Sequence, residues 1–162
     1  MDIKQAIHSS LAQADMIVNA YLGDLKGEDL LVRPVPNSNH IAWQLGHLIS
    51  SERSLIDRVA PGKLEPLPPG FDAAHKKDTA AIDDAAKFLT KEEYERLARQ
   101  LRAGTLRIVD GMAPADFDRP VEKMPPTVKT VGDMFFFVSM HWLMHAGQWS
   151  VIRRKLGRAP LF

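Results

Sequence analysis

The stretch Val131–Leu156, VGDMFFFVSMHWLMHAGQWSVIRRKL, has both the boundaries and the periodicity of a long helix. Thr130 is followed three residues later by Asp133, the pattern of a capping box, and Gly157 occupies a position typical of a helix end. The residues that would face the rest of a helical bundle recur in alternating steps of four and three. Their positions are 134, 138, 141, 145, 148, 152 and 155. The stretch therefore predicts a long helix that packs against other helices.

Two histidines, His141 and His145, interrupt the apolar side of this helix. A step of four residues rotates the chain by about 400° in an α-helix, so the two imidazoles point in nearly the same direction, one turn apart. They can hold one metal ion together if a facing helix supplies a further ligand. The alternative is two buried histidines that each bond to a backbone carbonyl. The spacing alone leaves both interpretations open.

The composition is that of an ordinary globular protein, since 45% of the 162 residues are hydrophobic and 25% are charged. We expect residues 1–162 to form one domain. The absence of cysteine excludes disulfides, thiolate ligands and a cysteine nucleophile. The formal net charge of +1 gives no general attraction for nucleic acid or a membrane, and no export signal or spanning segment is visible. We therefore expect a cytoplasmic protein that binds neither nucleic acid nor membranes.

Three further long helices follow from apolar periodicity and capping residues. They are predicted over Asp2–Leu25, from about 37–39 to Val59, and from the capping residue Thr90 to about Met112, with a short helix over Ala80–Phe88. The proline-rich segments between them predict long surface connectors. Without a βα alternation or a strand pattern, the chain is predicted to be an all-α four-helix bundle with long crossover loops. Such loops allow the second and fourth helices to be neighbours.

The remaining histidines differ in their surroundings. His47 lies beside the apolar face of the second helix, where Gly46 leaves room for its imidazole, or it is a boundary residue that closes the packing. His40 falls in the first turn of that helix, where a cation meets the unfavourable end of the dipole, so it is not favoured as a ligand. His75 lies in a proline-rich connector and is predicted to be solvated. His8 is expected at the surface of the first helix.

Three motifs resemble those of the DinB-like family, namely WQLGHL at 43–48, HxxxHxGQ at 141–148 and RRxLG at 153–157. The resemblance covers nearly the whole chain, including Arg33-Pro34. It implies a four-helix bundle, commonly dimeric, with a divalent metal held by His47, His141 and His145. Relatives include maleylpyruvate isomerase and transferases that depend on the low-molecular-weight thiols mycothiol or bacillithiol.

The chemistry expected of this site follows from its ligand type. Three neutral imidazoles leave an ion its full charge and at least one open coordination position, and they suit zinc or nickel better than magnesium. Because no Glu follows His141, the general base of the H-E-x-x-H metalloproteases is missing. We therefore expect a metal-dependent enzyme that acts on a small molecule, as a thiol S-transferase or a hydrolase. The alternative is a metal-binding helical module or an interaction protein without turnover.

Two polar residues are candidates for the surroundings of the metal site. Gln148 follows His145 by three residues and could orient a ligand, or it could bond to a neighbouring helix. Glu52 is near His47 in sequence but about 140° away around the helix. We therefore expect Glu52 to be a hydrogen-bonded carboxylate at the edge of the core and not a metal ligand.

The tryptophans are expected to anchor the core or an interface rather than to contact substrate. Trp142 and Trp149 are predicted at outer positions of the fourth long helix. Together with the family resemblance, this placement favours a homodimer with a helical interface.

Overall fold

The computed structural model describes residues 2–162, and all regular secondary structure within that range is helical. The α-helices are α1 (Ile3–Leu22), α2 (Ile41–Val59), the single turn α3 (Phe71–Ala74), α4 (Lys91–Gly111) and α5 (Val131–Lys155). Short 3₁₀-helices lie at Glu28–Leu31, Lys77–Thr79, Ala85–Lys87 and Pro114–Asp118. No helix in the described range combines the length and apolar character needed to cross a membrane. The predicted all-α fold class is confirmed.

The ends of the long helices follow capping chemistry that is visible in the sequence. The Thr130 hydroxyl accepts a hydrogen bond from the backbone N–H of Asp133 at 3.2 Å, and the Asp133 carboxylate accepts one from the N–H of Thr130 at 3.0 Å. Thr90 and Glu93 form the same reciprocal pair at the start of α4. Gly157 has a φ of +72°, a left-handed conformation that glycine adopts without strain just after a helix.

His40 caps α2 as a neutral acceptor. Its Nδ1 accepts a hydrogen bond from the backbone N–H of Trp43 at 3.1 Å, and its Nε2 donates to the carbonyl of Ile82 at 3.0 Å. Burial lowers the pKa of His40, which keeps the ring uncharged at the positive end of the helix. Both ring nitrogens are therefore engaged in holding the start of α2.

The four long helices form a ring in which each packs against two neighbours. α5 contacts α1 and α2, and α4 contacts α2 and α1. The consecutive helices α1 and α2 are therefore diagonal, as are α4 and α5, whereas α2 and α4 are adjacent and joined by the connector 60–90. The second and fourth long helices of the prediction are α2 and α5. Their predicted proximity is confirmed, and it brings His47 towards α5.

The buried side of α5 differs from the predicted one by part of a turn. Gln148 and Lys155 are exposed, although both belong to the side of the helix predicted to face the bundle. Trp142 and Trp149 take interior positions and are only 3% and 0% exposed. The prediction that these tryptophans lie on the outside of the helix is therefore wrong, because their large apolar rings fill the centre of the bundle. Three residues of that predicted side are buried as expected, namely Met134, Val138 and Ile152.

The connector between α2 and α4 packs onto the bundle. His75 is only 4% exposed and lies over Gly46, where an added Cβ would come within 2.0 Å of the His75 ring. The ring Nδ1 donates to the carbonyl of Phe71 at 2.8 Å, and Nε2 accepts from the hydroxyl of Tyr94 at 2.7 Å. The prediction of a solvated His75 is therefore wrong, since a hydroxyl on α4 and a gap left by glycine on α2 together bury it.

The helix predicted over Ala80–Phe88 is reduced to a 3₁₀ turn at Ala85–Lys87. The Arg33 guanidinium donates to the carbonyls of Ala80 and Ile82 at 2.9 and 3.2 Å. These carbonyls would otherwise accept hydrogen bonds inside a helix, so tertiary contacts replace the local structure.

A buried polar cluster joins α2, α4 and α5. The carboxylate of Glu52, 2% exposed, accepts hydrogen bonds from Arg102 at 3.0 Å, Thr105 at 2.8 Å and the Trp142 indole at 2.7 Å. These contacts satisfy a charge that would be costly to bury alone. Glu52 is thus a bonded carboxylate of the core.

Candidate metal centre

Three histidines converge where α2 and α5 pack together. One ring nitrogen from each of His47, His141 and His145 lies within 4.8 Å of the other two. The ring centroids are separated by 4.9 Å between His141 and His145 and by 5.3 and 5.5 Å from these to His47. The one-turn spacing on α5 and the adjacency of α2 therefore bring together the three residues that the sequence selected.

Aromatic side chains support two of these imidazoles. The Trp43 ring stacks on His47 with centroids 5.0 Å apart and planes 5° from parallel. The indole N–H of Trp43 donates to the backbone carbonyl of Lys76 and the Thr79 hydroxyl, at 3.2 and 3.1 Å, so the connector holds this ring in place. On α5, Phe137 stacks on His141 at a centroid distance of 5.9 Å.

The third imidazole is oriented by Gln44. The Oε1 atom of Gln44 lies 2.9 Å from Nδ1 of His145 and also 2.9 Å from the indole nitrogen of Trp149. Its Nε2 donates to the carbonyl of Asn39 at 2.7 Å. Because an indole N–H can only donate and a carbonyl can only accept, these two partners determine which end of the amide is oxygen.

This amide orientation determines the tautomer of His145. The Gln44 oxygen can only accept, so Nδ1 of His145 carries the proton and donates. The lone pair of the neutral ring is then on Nε2, the nitrogen that remains for a metal ion. A hydrogen bond of this kind is the usual support of a metal-binding histidine.

The protonation of the three rings favours metal binding at neutral pH. Burial, with the neighbouring His47, lowers the pKa of His141 to about 4. Burial, with His141 and His47 nearby, lowers the pKa of His145 to about 4 as well. Burial, then the charge of Lys77 and the nearby His75, lowers the pKa of His47. Neutral imidazoles have their lone pairs available, so protons compete weakly at this centre.

The centre opens onto a cleft of about 790 Å³. His47 and His141 line this cleft, whereas His145 is 7% exposed and lies deeper. A pocket of this size is within the range that small-molecule sites occupy. The centre is therefore accessible to a substrate through this cleft.

Gln148 and Glu52, the two residues predicted to surround the metal site, do not hydrogen-bond to its histidines. Gln148 is exposed on α5 and forms no hydrogen bond to the three histidines within residues 2–162, so the suggestion that it orients a ligand is not supported. Glu52 bonds to Trp142 and the α4 side chains instead of the histidines. The orienting residue missing from the sequence-based set is Gln44. Its signal was a glutamine within the otherwise apolar run that begins α2, one turn before His47.

The donor set fits a divalent metal ion. It consists of three neutral imidazoles, one of them held in the required tautomer, and no carboxylate belongs to the group. Within residues 2–162, no hydrogen bond competes for the ring nitrogens of His47 or His141. Borderline ions such as zinc and nickel prefer this chemistry, whereas magnesium prefers oxygen ligands.

The fold and the three-histidine group together define a helical-bundle protein with a candidate metal centre. The sequence profile of the DinB superfamily matches residues 10–149, and the chain belongs to that superfamily. The fold is similar to the crystal structure of the conserved protein of locus from Enterococcus faecalis, with a TM-score of 0.70 and 16% sequence identity over 98% of this chain and 99% of that one. No curated protein matches the sequence. The predicted family and bundle fold are thereby confirmed.

Proposed function

We propose that His47, His141 and His145 hold one divalent metal ion and that the protein is a metal-dependent enzyme acting on a small molecule. The convergence of three neutral imidazole donors, within 4.8 Å of one another at the wall of an open cleft, is the observation that carries this proposal. The reaction we favour is of the thiol S-transferase or hydrolase type, with a low-molecular-weight thiol as a candidate partner.

The side chains around the centre have distinct tasks in this proposal. Gln44 holds the proton of His145 on Nδ1, while Trp43 and Phe137 restrain the planes of the other two rings. Zinc or nickel, when bound, would act as a Lewis acid that favours the ionised form of a thiol or of water taken from the cleft.

Turnover separates an enzyme from a metal-binding module. Protein purified without a His tag and loaded with zinc or nickel is assayed with mycothiol, bacillithiol or glutathione plus 1-chloro-2,4-dinitrobenzene, and with p-nitrophenyl acetate for hydrolysis. We expect turnover that chelation removes and that His141→Ala lacks. The control His8→Ala changes a partly exposed histidine paired with Asp110 and should retain full activity. Metal binding without turnover of any probe would favour the binding module.

Metal binding also has a thermodynamic signature. The apolar core is extensive, so the metal-free protein should stay helical and chelation should leave the far-UV CD spectrum nearly unchanged. An ion that binds only the native state adds about 2.7 kcal/mol to the unfolding free energy at 100 times its Kd. Chelation should therefore lower the melting temperature.

A further inference from the structure

The cleft beside the three histidines concentrates positive charge. Five cationic side chains and two acidic ones line it, although the whole chain has a formal net charge of only +1. The cationic residues are Arg53, Arg58, Lys76, Lys77 and Lys123, and the acidic residues are Asp57 and Asp72. A concave surface with an excess of positive charge attracts anionic ligands.

The two acidic side chains do not neutralise the lysines. Asp57 pairs with Arg53 at 3.0 Å on α2, and the Asp72 carboxylate accepts a hydrogen bond from the Ser50 hydroxyl at 2.7 Å. Within residues 2–162, no carboxylate lies within the 4.0 Å salt-bridge distance of Lys76, Lys77 or Lys123. These three ammonium groups are therefore available to an external anion.

Lys77 lines the same cleft as His47 and His141, two members of the candidate metal centre. A divalent ion on three neutral imidazoles would add two more positive charges beside it, and the repulsion between these charges raises the free energy of the cleft. A bound anion would relieve that repulsion.

The shape and lining of the cleft restrict the kind of anion. Its volume of about 790 Å³ is that of a small-molecule site. Hydroxyl groups from α2 and an apolar wall accompany the charges, so an organic molecule with both acidic and apolar parts suits the surface. The hydroxyl residues are Ser50, Ser51 and Ser54, and the apolar wall includes Met124, Pro125 and Phe137.

We propose that this cleft binds a small organic compound with two or more acidic groups, which Lys76, Lys77 and Lys123 recognise. The apolar part of the compound contacts Phe137, and its reactive end reaches the three histidines. This last point rests on the proposed function, whereas recognition of the anion by the lysines does not.

The test uses two ligands that share a carbon skeleton and differ in charge. Succinate and its uncharged analogue succinamide are titrated into ¹⁵N-labelled protein, with and without zinc, and the amide shifts are followed by NMR. We expect succinate to shift the amides of Lys76, Lys77 and Lys123 and to bind more tightly when zinc is present. Succinamide should produce no saturable shifts there.

Charge-removing variants assign the effect to the lysines. Lys77→Gln/Lys123→Gln should weaken succinate binding by about tenfold, since each exposed charge contributes a modest amount. Lys63→Gln/Lys87→Gln removes the same charge outside the cleft and should leave the affinity within about twofold of wild type. Inorganic phosphate, titrated in the same way, distinguishes the source of the acidic group. Tighter binding of phosphate than of succinate at the same amides would assign a phosphate-bearing substrate.

Several outcomes would overturn the proposal. Equal binding of succinate and succinamide would do so, as would unchanged succinate affinity in Lys77→Gln/Lys123→Gln. Tighter binding of a thymidine octanucleotide at the same amides would point to nucleic acid instead. Lysine-dependent succinate binding in a protein that takes up no zinc would refute the metal centre and leave the anion site standing.

Discussion

The side-chain oxygen of Gln44 lies 2.9 Å from Nδ1 of His145, and this hydrogen bond ties α2 to the most buried member of the three-histidine group. Because the same oxygen accepts from Trp149, its orientation is determined by a partner outside the group. His145 is therefore held with its Nε2 lone pair available before any ion binds. A ligand restrained in this way loses less conformational freedom on binding.

Removal of the Gln44 acceptor should weaken metal binding. Gln44→Leu keeps a side chain of similar size but cannot accept the proton of His145, and we expect zinc affinity to fall by roughly 10- to 100-fold. Gln44→Glu retains the acceptor but loses the N–H that donates to the Asn39 carbonyl, so it should keep more zinc affinity than Gln44→Leu. Competition with a chromophoric chelator measures both. Gln148→Leu, on the exposed side of α5, is the matched control and should bind zinc like wild type. An equal loss in both leucine variants would argue against the orienting role.

The buried pair Glu52–Arg102 should be a sensitive point of stability. Arg102→Met leaves the Glu52 carboxylate without its cationic partner and should lower the unfolding free energy by about 3–5 kcal/mol in urea denaturation. Adding Glu52→Gln removes the unpaired charge and should recover part of the loss. Arg99→Met, at an exposed position on the same helix, should change stability by less than about 1 kcal/mol. No recovery in the double variant would show that packing, and not charge, dominates at this site.

The metal-free protein should lose stability as the pH falls from neutrality towards 4.5. Burial lowers the pKa of His40 and of His75, and the three site histidines shift in the same direction. Below the ordinary histidine pKa of about 6.5, the unfolded chain takes up protons that the folded chain excludes. The stabilisation is therefore complete above that pH and is lost as the pH drops towards the folded-state pKa values.

Two carboxyl groups also have shifted pKa values in the folded protein and contribute to the pH dependence of stability. Hydrogen bonds lower the pKa of Asp133, so its contribution is lost only in stronger acid, while burial raises the pKa of Asp15 and opposes the trend slightly. Urea midpoints in the presence of chelator should therefore decrease steadily between pH 7 and 4.5. A constant midpoint over that interval would be inconsistent with buried neutral histidines.

An exposed apolar stripe on α5 is the surface at which we predict a homodimer to form. Met140, Met144 and Val151 are 54%, 58% and 46% exposed, and their spacing places them along one side of the helix. We predict a dimer at micromolar concentration by light scattering and a shift to monomer in Met144→Glu. Val35→Glu, an exposed apolar position in a connector, should not change the mass. A wild-type monomer at these concentrations would remove the prediction without affecting the metal centre.

Local sequence signals were sufficient for the four long helices. Thr130 with Asp133 and Thr90 with Glu93 are capping pairs that depend only on neighbours in the chain, so they could be predicted. The family resemblance, and not periodicity alone, selected His47 as the third member, and the packing of α2 on α5 places it opposite His141 and His145.

The remaining features depend on contacts between distant segments. His75 is buried because Gly46 and Tyr94 receive it, and neither residue is near it in the chain. Gln44 becomes the partner of His145 only after α2 and α5 are packed, since Trp149 must also reach its oxygen. Proximity in sequence instead favoured Gln148 as the residue that orients a ligand. The orientation in which α5 packs leaves Gln148 on the surface.

The zinc content of the His47→Ala variant shows whether the three histidines bind one ion together. Wild type, His47→Ala and the control His8→Ala are purified without a His tag, stripped with chelator, reloaded with zinc, dialysed and measured by mass spectrometry of the metal. We predict one tightly bound zinc per chain in wild type and His8→Ala, and a loss of most bound zinc in His47→Ala with an unchanged CD spectrum. Full zinc stoichiometry and affinity in His47→Ala would contradict a centre built from His47, His141 and His145.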